Sequence, residues 1–188
     1  MAIAACSPEP ADAPDEAPAV ANELTPPAPP PPLPASSPPA GAPPAANLLT
    51  LEGLGPLRIG QAVPAGSGWA ERGAQISEEC RTISSPEFPG VYAIVEDGKV
   101  RRITVGERSA VKLAEGIGTG STETAVRAAF PGFRQAPHEY SDAPAKYLTA
   151  PNAAGGDPAL RFEIGADGKV GLVHVGTMPV LGYVEGCA

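Results

Sequence analysis

Apolar residues alternate with polar ones in two stretches of the chain, 90–106 and 160–176, and each stretch is split by an Asp-Gly pair. Asp97-Gly98-Lys99-Val100 recurs as Asp167-Gly168-Lys169-Val170, and Val105-Gly106 as Val175-Gly176, at a constant offset of 70. Asp-Gly between alternating runs is a strong hairpin signal, because a type I′ turn needs positive φ at both central residues. A two-residue loop at Asp167-Gly168 pairs Ala166 with Lys169, Ile164 with Gly171 and Phe162 with Val173. One face then carries Leu160, Phe162, Ile164, Val173 and Val175, and the other carries Arg161, Glu163, Leu172 and His174. The same register places Tyr92, Ile94, Ile103 and Val105 on the corresponding face of the first hairpin. The pattern predicts antiparallel sheet with one buried and one wet face.

Each hairpin is preceded by an Ile-Gly pair and a helix candidate. Ile59-Gly60 and Ile117-Gly118 stand 58 residues apart, so the second copy holds about 12 more residues, which fall in the Pro/Gly-broken stretch 131–158. Ser121 or Thr122 can cap a helix to about Phe130, with Glu123 in its first turn and Val126, Ala129 and Phe130 inward, stopped by Pro131-Gly132. In the first copy Pro64 opens a helix to about Arg72, opposed by Gly66 and Gly68. Further strands are expected at 49–52, 56–59, 80–84, 145–149 and 180–184. The predicted fold class is therefore α+β: two tandem helix-plus-hairpin repeats, about 54–106 and 112–176, forming a mostly antiparallel sheet within a domain at 49–188.

Composition changes the picture at the front of the chain. Of the 25 prolines, 15 lie in residues 1–48, a segment with five acidic side chains and no basic one. Residues 7–48 are Pro/Ala/Ser-rich without an aromatic residue, which predicts a disordered linker that cannot repay its ordering entropy. Pro26 to Pro34 favours polyproline II, and fully extended the 42-residue linker reaches about 130 Å. The rest of the chain has 16 acids against 13 bases, a poor balance for nucleic-acid binding. No run of 18 apolar residues is present.

Ile3-Ala4-Ala5-Cys6-Ser7 resembles the lipobox of bacterial lipoproteins. The resemblance implies cleavage before Cys6 and acylation of its thiol and amine. Residues 1–6 would then be the remnant of a longer signal segment, since the family's basic and apolar regions need more than five residues. It also implies that Ser7 sends the protein to the outer membrane, facing the periplasm. With Cys6 assigned to lipid, Cys80 and Cys187 remain, and an exported protein tends to pair them. The folded part resembles a second group, the fold shared by small outer-membrane lipoproteins of the barrel-assembly type and by β-lactamase inhibitory proteins. The residues that carry this are Leu57-Arg58-Ile59-Gly60 and Gly118-Thr119-Gly120-Ser121-Thr122 with Val126. None of either family's partner-contacting residues matches here, so neither activity is carried over.

Chemical candidates are few. Gly116-Ile117-Gly118-Thr119-Gly120-Ser121-Thr122 lacks the lysine and glycine spacing of a phosphate loop and reads as a turn into the helix. His174 falls on the wet face opposite Arg161 and near Glu163, and reads as a surface histidine. His138-Glu139 with Asp142 imitates a metal cluster, but structural-zinc spacing is absent, as are nucleophile-elbow and paired-histidine motifs. Arg101, Arg102, Arg108 and Lys112 make a basic cluster, with Arg102 on the wet face and Arg101 snorkelling from the core side. Phe133, Arg134, Tyr140 and Tyr147 lie in the long insert 131–158 and form the candidate partner surface. The functional expectation is a non-enzymatic binding or scaffolding lipoprotein without a cofactor, held to the membrane through Cys6 and engaging an envelope protein. The alternative is a secreted inhibitor of an envelope or extracellular enzyme.

Overall fold

The computed structural model describes residues 47–187 other than Arg72 and Ile76. Cys6 and the linker up to residue 46 lie outside the described residues, and so do the expectations placed on them. Ten strands and one α-helix follow in order: β1 (Gly53–Leu54), β2 (Leu57–Arg58), β3 (Ala70–Glu71), β4 (Cys80–Ser84), β5 (Val91–Glu96), β6 (Lys99–Val105), α1 (Glu123–Ala129), β7 (Arg134–Pro137), β8 (Lys146–Thr149), β9 (Ala159–Ile164) and β10 (Val170–Gly176). β1 and β2 form a small hairpin, and the other eight strands form one antiparallel sheet in the order β3-β4-β5-β6-β10-β9-β8-β7.

This corrects the predicted α+β arrangement of two helix-plus-hairpin units. The domain is mostly β, and α1 is the only α-helix among the described residues. α1 forms where capping favours it: Thr122 is extended at φ −75°, ψ 151°, and its Oγ1 accepts the Ala125 N–H at 3.2 Å. No helix follows Pro64. Gly66 and Gly68 adopt φ of +71° and +76°, left-handed values that end a right-handed turn before it can propagate. The 180–184 stretch is likewise not a strand but a 3-10 turn at Val180–Gly182.

The two Asp-Gly pairs, identical over four residues, build different turns. Asp97 and Gly98 both have positive φ, +53° and +71°, as a two-residue type I′ loop requires. At the second site only Gly168 does (+72°), and the chain closes a longer loop with Gly165 N–H donating to Lys169 O at 2.9 Å. Its surroundings decide this: Gly168 O accepts the Glu123 N–H at the start of α1, and Val170 N–H donates to Ser121 O, both at 2.8 Å.

Each hairpin also carries a β-bulge, which moves side chains between faces. In the second, the bulge at Gly171 compensates for the longer loop, so Phe162 faces Val173 as predicted. In the first, the irregularity around Arg101 shifts the register, pairing Ile94 with Arg102, Ala93 with Ile103 and Tyr92 with Thr104. Tyr92 and Ile94 therefore lie on the face opposite Ile103 and Val105, against the expectation. Val91, Ala93 and Val95 take the inner positions instead.

The main core lies on that inner face. Phe162, Ile164, Val173, Val175, Ile103 and Val100 of the sheet pack with Leu54 and Leu57 of the small hairpin, with Leu49, Leu113 and Ile117, and with Val126 of α1. Phe162 is wholly buried and sits 5.6 Å from the Phe130 ring and 5.8 Å from the Phe133 ring.

Candidate functional site

The second face of the sheet is not wet. Directly paired residues share a face, so Ser84, Tyr92, Thr104, His174, Arg161, Thr149 and Arg134 form one polar row across the strands. After β10 the chain turns back as a strap, residues 177–187, whose 3-10 turn packs against β6 and β10. Leu181 is wholly buried with Ala150, Ala153 and Ala159 in a second, smaller apolar cluster. The strap ends at Cys187, which forms a disulfide with Cys80 at a Cα separation of 5.6 Å. The pairing expected from the cysteine count is thus present, and it ties the chain's end to β4.

Under the strap three polar side chains are buried that the sequence reading had put in water: Arg102, Thr104 and His174, at 1%, 0% and 2% exposure. The cause is the cover itself. Arg102 Nη1 donates to Val180 O at 3.1 Å and also to Tyr183 O, replacing solvent with strap carbonyls. Its Nε and Nη2 have no hydrogen-bond acceptor. Burial lowers the guanidinium pKa, with Tyr92 and Glu163 opposing that shift.

A relay runs from the centre of this face to its edge. Thr104 Oγ1 and His174 Nδ1 are 2.9 Å apart, and His174 Nε2 lies 3.0 Å from Glu163 Oε1. The other Glu163 oxygen lies 3.3 Å from His138 Nε2. His138 stacks on Tyr147 with ring centroids 4.7 Å apart, and the Arg161 guanidinium lies 3.9 Å from the Tyr147 ring centroid. Burial depresses the His174 pKa, helped by Arg102 and Arg161 and opposed by Glu163, so the ring is neutral. For Glu163, burial pushes the pKa up, but hydrogen bonds from His174 and His138 outweigh it and leave the carboxyl lowered.

Hydroxyl, imidazole and carboxylate in sequence have the connectivity of an activated nucleophile. Thr104 is wholly buried, however, and lines neither of the two recesses that Tyr92 borders on this face. In this form the relay can orient and bridge β6, β10 and β9; it cannot present an attacking oxygen to a substrate.

Beyond the strap the second face opens into a trough of about 820 Å³, lined among others by Ser84, Pro86, Phe88, Tyr92, Arg108 and Leu172. Tyr92 also lines a smaller recess of about 310 Å³ on the strap side, with Thr82, Glu185 and Cys187. Neither was legible in the sequence, because the first-hairpin register had turned Tyr92 inward.

The four residues chosen as a partner surface are not brought together. Tyr147 is buried under His138 and Arg161 on the second face, while Phe133 packs against Phe130 and Phe162 on the other. Arg134 is exposed on edge strand β7, and Tyr140 is 65% exposed, its phenol beside Glu185 of the strap, which raises its pKa. The stretch 131–158 is mostly a hairpin, β7–β8, and not a structureless insert. The basic residues also scatter: Arg102 is buried, Arg101 is half-buried 3.7 Å from Asp97, and Arg108 and Lys112 are exposed. Among the described residues no three His, Cys, Asp or Glu side chains are placed to hold a metal, and no helix is long and apolar enough to cross a membrane. No protein-family model, no curated protein and no solved structure matches this chain.

Proposed function

We propose that this is an exported, lipid-tethered protein whose β-domain serves as a non-enzymatic binding or scaffolding module in the cell envelope. The observation that carries the reading is the Cys80–Cys187 disulfide. Such bonds persist in oxidising compartments, and this one closes the strap over an otherwise polar sheet face. With Cys80 and Cys187 joined to each other, Cys6 is the one remaining cysteine of the chain, within the lipobox-like Ile3-Ala4-Ala5-Cys6-Ser7. The Pro-rich 7–48 segment would space the domain from the membrane. The trough beside Tyr92 has the volume of a ligand recess, and the sealed Thr104–His174–Glu163 relay favours binding over catalysis.

The test is metabolic labelling with an alkyne fatty acid in cells expressing the protein from its own genomic reading frame, followed by membrane fractionation. Incorporation that pellets with membranes and is lost in Cys6→Ser is the expected result. An unlabelled wild-type chain, or label retained in Cys6→Ser, overturns the anchor.

A further inference from the structure

The two apolar clusters adjoin at the start of β9. There Leu160 turns to the main core and Ala159, its neighbour in sequence, to the smaller cluster on the other face. Phe133 is partly buried against both. The seam between them is not filled. A recess of about 350 Å³ lies along it, walled by Leu113 and Leu160 from the main core, Ala150 and Ala159 from the smaller cluster, Phe133, and Leu51 at an exposed turn. Ala150 and Ala159 contribute only methyl groups to this wall, which leaves the volume open. At ~30 Å³ for each water-sized group, the space holds a ligand of about ten heavy atoms.

Nothing in the local fold accounts for Leu51. It stands with Glu52 at the centre of a turn closed by the Gly53 N–H, which donates to Thr50 O at 3.1 Å. Such positions favour Pro, Asp, Asn, Ser or Gly, each for a backbone reason that leucine lacks. Leu51 is nonetheless 41% exposed, and an apolar ligand in the recess would cover it. Three polar side chains complete the lining: Thr50, Asn152 and Glu115. The Thr50 hydroxyl donates to Gly53 O at 3.4 Å. The Asn152 amide makes no hydrogen bond to the 3-10 turn Ala153–Gly155 that follows it. Glu115 is exposed and is the only charged side chain of the lining. A carboxylate on the ligand would meet a like charge there, whereas a hydroxyl or an ammonium would find an acceptor.

We propose that this recess binds a single aliphatic chain of about ten heavy atoms whose head group is a neutral or cationic hydrogen-bond donor. The chain lies against Leu113, Leu160 and Phe133, under Leu51, and the head meets Glu115 and Asn152. The site depends neither on the trough beside Tyr92 nor on Cys6.

The experiment titrates the full-length chain with n-octanol, octylammonium chloride and sodium octanoate at pH 7.5, read by methyl ¹H–¹³C NMR. Saturable shifts should appear at Leu51, Leu113, Ala150 and Leu160, while Val91, which lines the trough, stays in place. Octylammonium should bind more tightly than octanoate by roughly two- to fivefold, the size of a surface charge contact. Glu115→Lys should reverse that order. Ala150→Leu puts an isobutyl group in place of a methyl in the wall and should weaken all three probes by about tenfold or more, each excluded methylene being worth about fourfold. Absence of saturable shifts, shifts at Val91 as large as those at Leu51, unchanged affinity in Ala150→Leu, or octanoate bound as tightly as octylammonium overturns the proposal. Should Ala150→Leu fail to fold, the head-group order and its reversal in Glu115→Lys, a substitution at an exposed position, decide.

Discussion

Removing the covalent tie at the strap's end separates the disulfide's contribution from that of the contacts beneath it. The variant is the double substitution Cys80→Ser, Cys187→Ser. Cross-linking residues 107 apart restricts the unfolded chain, and the chain-entropy relation puts this at about 4.8 kcal/mol as an upper value. The folded strap is also held without the bond. Leu181 is wholly buried among Ala150, Ala153 and Ala159, Arg102 donates to two strap carbonyls, and the Tyr183 hydroxyl donates to Glu96 at 3.1 Å. The variant should therefore fold with the strap docked and lose about 3 kcal/mol, within the usual range for a native disulfide. For a domain of this size that lowers Tm by roughly 10 °C. Urea unfolding of both proteins at pH 7.5 gives the difference, and an unchanged m-value would show that the same surface is exposed on unfolding. A loss below about 1 kcal/mol would refute the entropic argument, because restricting the unfolded chain would then add almost nothing to stability.

Further outcomes follow from two glycines and from the buried relay. A Cβ at Gly176 would lie 2.3 Å from Arg101 O and 2.9 Å from Arg102 Cα, so Gly176→Ala should destabilise the β6–β10 junction by about 2 kcal/mol or more. Gly155→Ala, which meets nothing within 4 Å and needs no positive φ, should leave thermal unfolding within about 0.5 kcal/mol of the parent. The pKa directions of His174 and Glu163 set the acid limb. A buried neutral histidine binds its proton in the unfolded chain first, so stability falls as pH drops below the unfolded value near 6.5. Glu163, with its folded pKa lowered, contributes stability above its unfolded value near 4.5 that is lost as pH falls through the folded one, in the same sense. Urea titrations should show stability declining from pH 7 to 5 by up to about 1.4 kcal/mol per pH unit from His174. His174→Gln should flatten that decline, and an equal slope in the variant would assign the effect elsewhere.

The amino-acid sequence by itself determined the elements whose signals are local. Thr122 and Glu123 with an inward Val126 specify α1, Asp-Gly between alternating runs specifies both hairpins, and the β4 and β8 strands fall within the expected 80–84 and 145–149. The pairing of Cys80 with Cys187 was legible too, because setting Cys6 apart leaves two cysteines with one possible partner each. Where local signals conflicted, the first-copy helix lost to Gly66 and Gly68, whose positive φ no later packing repairs.

Face and burial were decided only by the tertiary structure. One extra residue at Arg101 reverses every side chain upstream of it, and nothing in an alternating pattern marks where a bulge will sit. Identical Asp-Gly-Lys-Val segments take different turns because one of them docks on the start of α1. Arg102, Thr104 and His174 read as solvated because polar residues on an alternating strand normally are. A strap that returns from the far end of the chain supplies Arg102 with carbonyls in place of water, while Thr104 and His174 satisfy each other and Glu163 within the sheet. Periodicity records which residues share a face; what covers that face is a non-local contact, and here it comes from residues 177–187.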